Sequence, residues 1–72
     1  MPKKDQLKYW MSVKGFFTTH EVIQWGVGNY CNNADRHKRE LVEEGIIRML
    51  PKDEKVFRGY KTRESVYEFI ER

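Results

Sequence analysis

The stretch NYCNNADRHKRELVEEG, residues 29–45, decides how the rest of the chain is read. Stepped at 100° per residue, its apolar side chains fall in one stripe of Tyr30, Ala34, Leu41 and Val42, with His37 and Lys38 at the edges. Asn29, Asn32, Arg36 and Arg39 lie opposite, with Asn33 and Glu40 beside them. The pattern predicts a helix over about 30–44, one face buried and the other presenting amides and guanidinium groups. Asn and Arg carry the forks that match adenine and guanine edges in a DNA major groove. A solvated face that only keeps a protein soluble has a similar composition, so the flanking segments decide.

Upstream, Phe17-Thr18-Thr19-His20-Glu21-Val22 holds the clearest local signal. Thr18 can cap a helix whose Glu21 reaches back to the Thr18 amide, a capping box, and Phe17 with Val22 makes the matching hydrophobic staple. This second helix spans about 19–25 and must end by Gly26-Val27-Gly28. That GVG is read as a turn and not a phosphate loop, because no GK[ST] follows it. Before it, Leu7, Trp10, Met11 and Val13 share one stripe of a first helix over about 5–13, with Trp10 in the core. Lys14-Gly15 supplies its stop.

Downstream, Glu44-Gly45 ends the third helix and the periodicity changes. Ile46, Ile47, Met49 and Leu50 form a β-rich run closed by Pro51. Lys52-Asp53-Glu54-Lys55 reads as a polar tip, with Val56-Phe57 returning along the run. Arg58–Arg63 is basic and loop-like. The segment 65–70 fits a strand by propensity, or a helix capped by Thr62 with Val66, Phe69 and Ile70 on one face. The strand is preferred, because a lone strand at 46–50 leaves its backbone unpaired.

Seventy-two residues make one domain with a modest core and no room for a deep substrate cavity. One cysteine, Cys31, excludes an internal disulfide. No apolar run approaches the ~18 residues that span a bilayer, and MPKKDQLKYW has no apolar signal core. The cytoplasm is the expected compartment. The net charge is +3, and residues 36–63 hold nine Lys and Arg against five acids. A basic half suggests a polyanionic partner.

Two helices joined by a tight turn, the second with a polar face, make the outline of a helix-turn-helix. Three helices followed by a β-hairpin, mainly α with a small β element, resemble the winged helix-turn-helix family. Two segments carry the likeness: Phe17–Val22, similar to the threonine-capped second helix of such domains, and Arg39–Arg48, where a leucine closes the core, glycine ends the third helix and isoleucines start the wing. The likeness covers roughly residues 5–70, with the wing at about 46–70. Pro51 inside the expected hairpin and the return through Arg58–Arg63 depart from the pattern.

The resemblance implies double-stranded DNA binding by a small transcriptional regulator, helix 3 in the major groove and the wing on the backbone. Carried over by position, Asn29, Asn32, Asn33, Arg36 and Arg39 would face bases and nearby phosphates, with Asn32 and Arg36 the leading candidates for base readout. Thr18 and Thr19 would donate to a phosphate at the start of helix 2, although capping alone accounts for Thr18. Lys52, Lys55, Arg58, Lys61 and Arg63 would supply the wing's phosphate contacts, although ordinary surface charge would look alike. Modules of this size often dimerise; helix 1 and VYEFI at 66–70 are the two candidate surfaces. Stand-alone regulators this small occur among viruses and mobile elements, which suggests such an origin and a host's cytoplasm.

Catalysis finds little support. His20 and His37 fall in different helices, Cys31 has no second cysteine, and a zinc site needs three or four N or S ligands. Neighbouring Glu43 and Glu44 point about 100° apart. The expectation is a non-enzyme with no metal, no cofactor and no membrane partner. The main alternative is a protein-interaction module on the same scaffold, in which exposed aromatics such as Tyr9, Tyr60 or Tyr67 matter and Arg36 and Arg39 do not. RNA binding ranks third, for want of an exposed aromatic platform.

Overall fold

The computed structural model describes residues 2–60 and 63–70. In chain order its elements are α1 (Lys3–Lys14), β1 (Phe16–Thr18), α2 (Thr19–Gly28), α3 (Ala34–Glu43), β2 (Ile47–Met49), α4 (Lys52–Phe57) and β3 (Val66–Phe69). The three strands form one antiparallel sheet in the order β1-β3-β2. The fold is α+β, with four helices and a three-stranded sheet among the described residues.

α1 buries Leu7 and Met11 completely and stops where its Lys14-Gly15 signal stands. Gly15 turns to φ 76° and its N–H reaches the Met11 carbonyl at 2.9 Å, a left-handed step that glycine takes without a Cβ penalty. Val13 was expected in the buried stripe, but it is exposed. Only the 7/11 pair faces inward, and Trp10 packs at the margin of the core.

Phe16-Phe17 is not a mere lead-in to α2. It forms β1, pairing Phe17 with Tyr67 across β3. The capping box stands as expected: the Thr18 hydroxyl accepts from the Glu21 N–H at 3.2 Å, and the Glu21 carboxylate accepts from the Thr18 N–H at 3.1 Å. Phe17 and Val22, the two staple residues, are fully buried in the same cluster.

α2 runs through Gly26-Val27-Gly28 instead of ending before it. Gly26 is a packing residue. A Cβ there would lie 2.7 Å from the Cys31 carbonyl oxygen and 2.8 Å from the Ala34 Cβ, so its missing side chain lets α2 cross close to the following segment. The helix closes one turn later. The Asn29 amide donates to the Trp25 carbonyl at 2.8 Å, Tyr30 turns to φ 55°, and the Cys31 N–H returns to the Gly26 carbonyl at 2.8 Å. That 6→1 bond is the mark of a Schellman closure.

α3 consequently begins at Ala34, not near 30. Asn29, Tyr30 and Cys31 go to closing α2, and Asn33 caps α3, so Asn29, Tyr30, Asn32 and Asn33 do not extend the α3 wheel. Tyr30, expected in the buried stripe, is 92% exposed, and Val42 is exposed as well. Ala34, Lys38 and Leu41 form the buried face. Lys38 moves from the stripe's edge to its middle. Its ammonium is 3.0 Å from Asp35 and 4.9 Å from the centroid of the Tyr67 ring, so both an anion and a π face compensate the buried charge. A second Schellman closure ends α3, with Gly45 at φ 78° and the Ile46 N–H on the Leu41 carbonyl at 3.0 Å.

β3 lies between the other two strands, pairing Val66 with Thr18 on one side and Phe69 with Ile47 on the other. The strand reading of 65–70 is therefore the one adopted. The helix alternative depended on a cap at Thr62, which lies outside the described residues. The wing differs from expectation. Val56-Phe57 does not return as a strand; residues 52–57 form α4. Pro51 has φ −60° at its N-cap and cannot donate to a ladder. Asp53 and Glu54 then stand in the first turn and Lys55 in the last, the arrangement that suits the helix dipole. Leu7, Met11, Phe17, Val22, Leu41, Ile47 and Val66 fill the centre between helices and sheet, each contributing roughly 1.5–3 kcal/mol through burial.

Candidate nucleic-acid interface

α3 places Arg36 and Arg39 on its outer side, away from Ala34, Lys38 and Leu41. Both are exposed. Arg39 lies 3.4 Å from Asp35 one turn earlier, a solvent-screened contact worth little. Arg36 has no carboxylate within ion-pair distance among the described residues. Its charge and the Lys4 ammonium help to lower the Glu40 carboxyl below its ordinary value, but the largest cause is the hydrogen bond to His37 at 3.2 Å. Asn32 and Asn33 are exposed in the turn before the helix. Asn29 stands apart, its amide spent on the end of α2.

At the start of α2 the expected anion site is already filled. The Thr18 and Glu21 N–H groups serve the capping box. The Thr19 N–H donates to the Ser65 carbonyl at 3.2 Å, and the His20 N–H to the Glu64 carboxylate at 2.9 Å. A helix N-terminus attracts anions through its free donors and its dipole; here the chain's own Glu64 provides the anion. These backbone groups at Thr18 and Thr19 are not open to a phosphate. Burial pushes the Glu21 carboxyl up, but hydrogen bonds from Lys14 and from the Thr18 backbone outweigh it and hold the carboxyl below its ordinary 4.5.

The wing cations are disposed differently from those around the helices. Lys4 bridges to Glu44 and Glu40, and hydrogen bonding to Glu44 raises its ammonium pKa. Lys14 meets Glu21 at 2.9 Å and Lys38 meets Asp35 at 3.0 Å. On β2, Arg48 is held at 2.7 Å by Glu68 and at 2.8 Å by Glu54, contacts that raise its pKa, Glu68 first. Because Glu54 belongs to α4, this arginine ties the wing helix to the sheet.

Lys52, Lys55, Arg58 and Arg63 have no such partner among the described residues. Lys55 donates to the Glu64 backbone carbonyl at 2.8 Å, and Arg58 lies 4.1 Å from the centroid of the Phe16 ring. Both contacts position a cation without neutralising it. Lys52, Lys55 and Arg63 line one open cleft of about 470 Å³ beside Val56 and Tyr60. Lys61, the fifth expected wing cation, lies outside the described residues.

Two participants escaped the sequence reading. Glu64 and Arg48 look like unremarkable charges in the linear chain; the approach to β3 brings Glu64 to the His20 N–H, and Arg48 meets Glu68 across the β2–β3 pair and Glu54 six residues on. Tyr30 was legible in part: Asn29 and Asn33 are both residue types that favour helix ends, and they bracket the turn that exposes it. His20 and His37 lie on separate helices, and no group of three or more His, Cys, Asp and Glu could hold a metal among the described residues. No helix there is long and apolar enough to cross a membrane. No protein-family model, no curated protein and no solved structure matches the chain.

Proposed function

We propose that the chain is a winged helix-turn-helix protein that binds double-stranded DNA sequence-specifically as a small non-catalytic regulator, with α3 in the major groove and residues 50–65 on the backbone. The element order helix, strand, helix, helix, strand, helix, strand, with the last strand central, supports the fold assignment when α4 is taken as an elaboration of the wing. The observation that carries the function is the sorting of cations. Lys4, Lys14, Lys38 and Arg48, which join the helices and sheet, each sit against a carboxylate, whereas Arg36 on α3 and Lys52, Lys55, Arg58 and Arg63 in the wing have no carboxylate within ion-pair distance among the described residues. Phosphates supply the missing anions, and Asn32, Asn33, Arg36 and Arg39 supply the groups that read base edges.

Fluorescence anisotropy on random duplex DNA between about 50 and 200 mM salt tests this. Log affinity should fall with log salt at about −0.9 per phosphate neutralised, with four to six contacts, and Arg36→Ala should weaken binding several-fold. A folded protein that fails to bind at the lowest salt overturns the reading.

A protein-interaction module is the second reading, favoured by Phe57 on α4, which is 91% exposed. Exposed aromatics prefer interfaces. Phe57→Ser abolishing capture of a partner, with Arg36→Ala silent, would establish it. Tyr67 has no part in either reading, since it is buried. That burial, and the central place of β3, leave α1 with its exposed Tyr9 and Val13 as the surface through which we propose two copies would pair.

A further inference from the structure

Among the described residues the backbone turns left-handed at four positions. Three carry glycine: Gly15, Gly45 and Gly59. The fourth is Tyr30, at φ 55°. A side-chain-bearing residue is strained there, and tyrosine lacks the short polar group with which asparagine relieves the cost locally. Asparagines stand at 29, 32 and 33, yet the strained position itself holds an aromatic ring.

Nothing inside the described chain repays that cost. Tyr30 is 92% exposed; its N–H reaches the Val27 carbonyl at 3.5 Å, but its ring and hydroxyl make no hydrogen bond or ring contact among the described residues. A strained backbone that packing does not reward marks a residue kept for what it touches. Its position narrows what that is. Tyr30 closes α2 four residues before α3 begins, followed by the exposed Asn32 and Asn33. When a helix enters the major groove, its first residues meet base edges, and the turn leading into it passes the groove wall, where the phosphates are.

We propose that Tyr30 is a DNA-backbone contact: its phenol O–H donates to a phosphate oxygen at the groove edge, and so fixes the depth and register of α3. The inference rests on the DNA-binding reading above. Tyrosine is a known type of phosphate donor, and as a neutral one it releases no counterion. Its loss should therefore lower affinity without changing the salt slope, unlike the loss of a cation.

Three variants measured on the same random duplex across the same salt range separate the possibilities. Tyr30→Phe keeps the ring and the turn, and should weaken binding about two- to tenfold at unchanged slope. Tyr30→Gly should weaken it at least as much while raising the thermal midpoint by about 2–6 °C, because glycine relieves the left-handed step. Arg36→Ala should make the slope shallower by about 0.9. Wild-type affinity in both Tyr30 variants, with the Arg36 effect present, overturns this inference and leaves the DNA reading standing. A lowered midpoint in Tyr30→Gly overturns the strain on which it depends. Absence of salt-dependent binding by the parent protein overturns both readings together.

Discussion

The helical body and the wing treat charge in opposite ways. In the body, Lys4, Lys14 and Lys38 each sit against a carboxylate, and these contacts join α1 to α3, α1 to the first turn of α2, and α3 to itself. In the wing, four cations lack such partners, although acids are at hand. Glu54 and Glu64 point back to the scaffold, one on Arg48 and the other on the His20 amide. Two of the wing's three acids thus serve the fold, Asp53 staying exposed in the first turn of α4, while its positive charge is left for solvent or a ligand. Charge that holds a structure together comes in matched pairs; charge meant for a partner is left unmatched on one side.

Substitutions can break this contrast or sharpen it. The largest effect belongs to the body. Gly26→Ala sets a methyl group within 2.8 Å of the Cys31 carbonyl and Ala34, and the backbone oxygen cannot yield. Overpacking of this kind should cost about 1–3 kcal/mol, seen as a lower midpoint in thermal or urea unfolding. Retained stability would mean that the two helices slide easily and that the body is no rigid platform.

Next is a direct comparison of an unpaired wing with a paired cation. Lys52→Ala combined with Arg63→Ala should lower DNA affinity about tenfold or more, reduce the salt slope by about 0.9 per side chain, and leave the midpoint unchanged. Arg48→Met should do the reverse, lowering the midpoint by freeing α4 from the sheet while sparing the slope. Equal effects of the two on both measurements would erase the distinction between them.

The smallest effect is on acid stability. The Glu21 carboxyl lies below its ordinary 4.5 in the folded chain, so its contribution is complete above that value and is lost as the pH falls through the folded one. Glu21→Gln retains the capping geometry and removes the charge facing Lys14. It should cost a few tenths of a kcal/mol at neutral pH, since the pair is partly exposed, and flatten the decline below about pH 4.5. A parallel decline in both proteins would assign the acid sensitivity elsewhere.

What the chain discloses in linear form is local. The Thr18 capping box, the Gly15 and Gly45 stops, and the buried Leu7, Met11 and Leu41 can all be read within one or two helical turns, and all stand in the structure. The misreadings share a cause. The 100° periodicity extends α3 back to 30, because it does not reveal that Asn29–Cys31 are needed to close α2. β1 is hidden in the sequence because two phenylalanines next to a helix cap look like a staple alone, and only a strand some fifty residues later makes them a sheet edge. In α4, Lys52–Lys55 reads as a polar tip and Val56-Phe57 as a return strand because the latter pair favours β structure, while Pro51 and the Arg48–Glu54 pair commit the segment to a helix. At the candidate site, Arg36, Arg39 and the wing cations are visible as charges. Which of them are neutralised depends on pairings across the fold, and this is where Thr18, Thr19 and Asn29 turned out to be otherwise engaged.

The central place of β3 has a consequence for how the molecule is made. Both outer strands hydrogen-bond to it, and it is synthesised after α1, α2, α3 and α4. Until residue 69 has left the ribosome, Phe16–Thr18 and Ile47–Met49 have no strand between them and present unpaired edges. The helices can form early and locally, but the sheet closes in a single late step, so β1 and β2 wait on the same event. A nascent chain stalled shortly before that point should expose its edge strands to chaperones or to other chains, a hazard set by strand order alone.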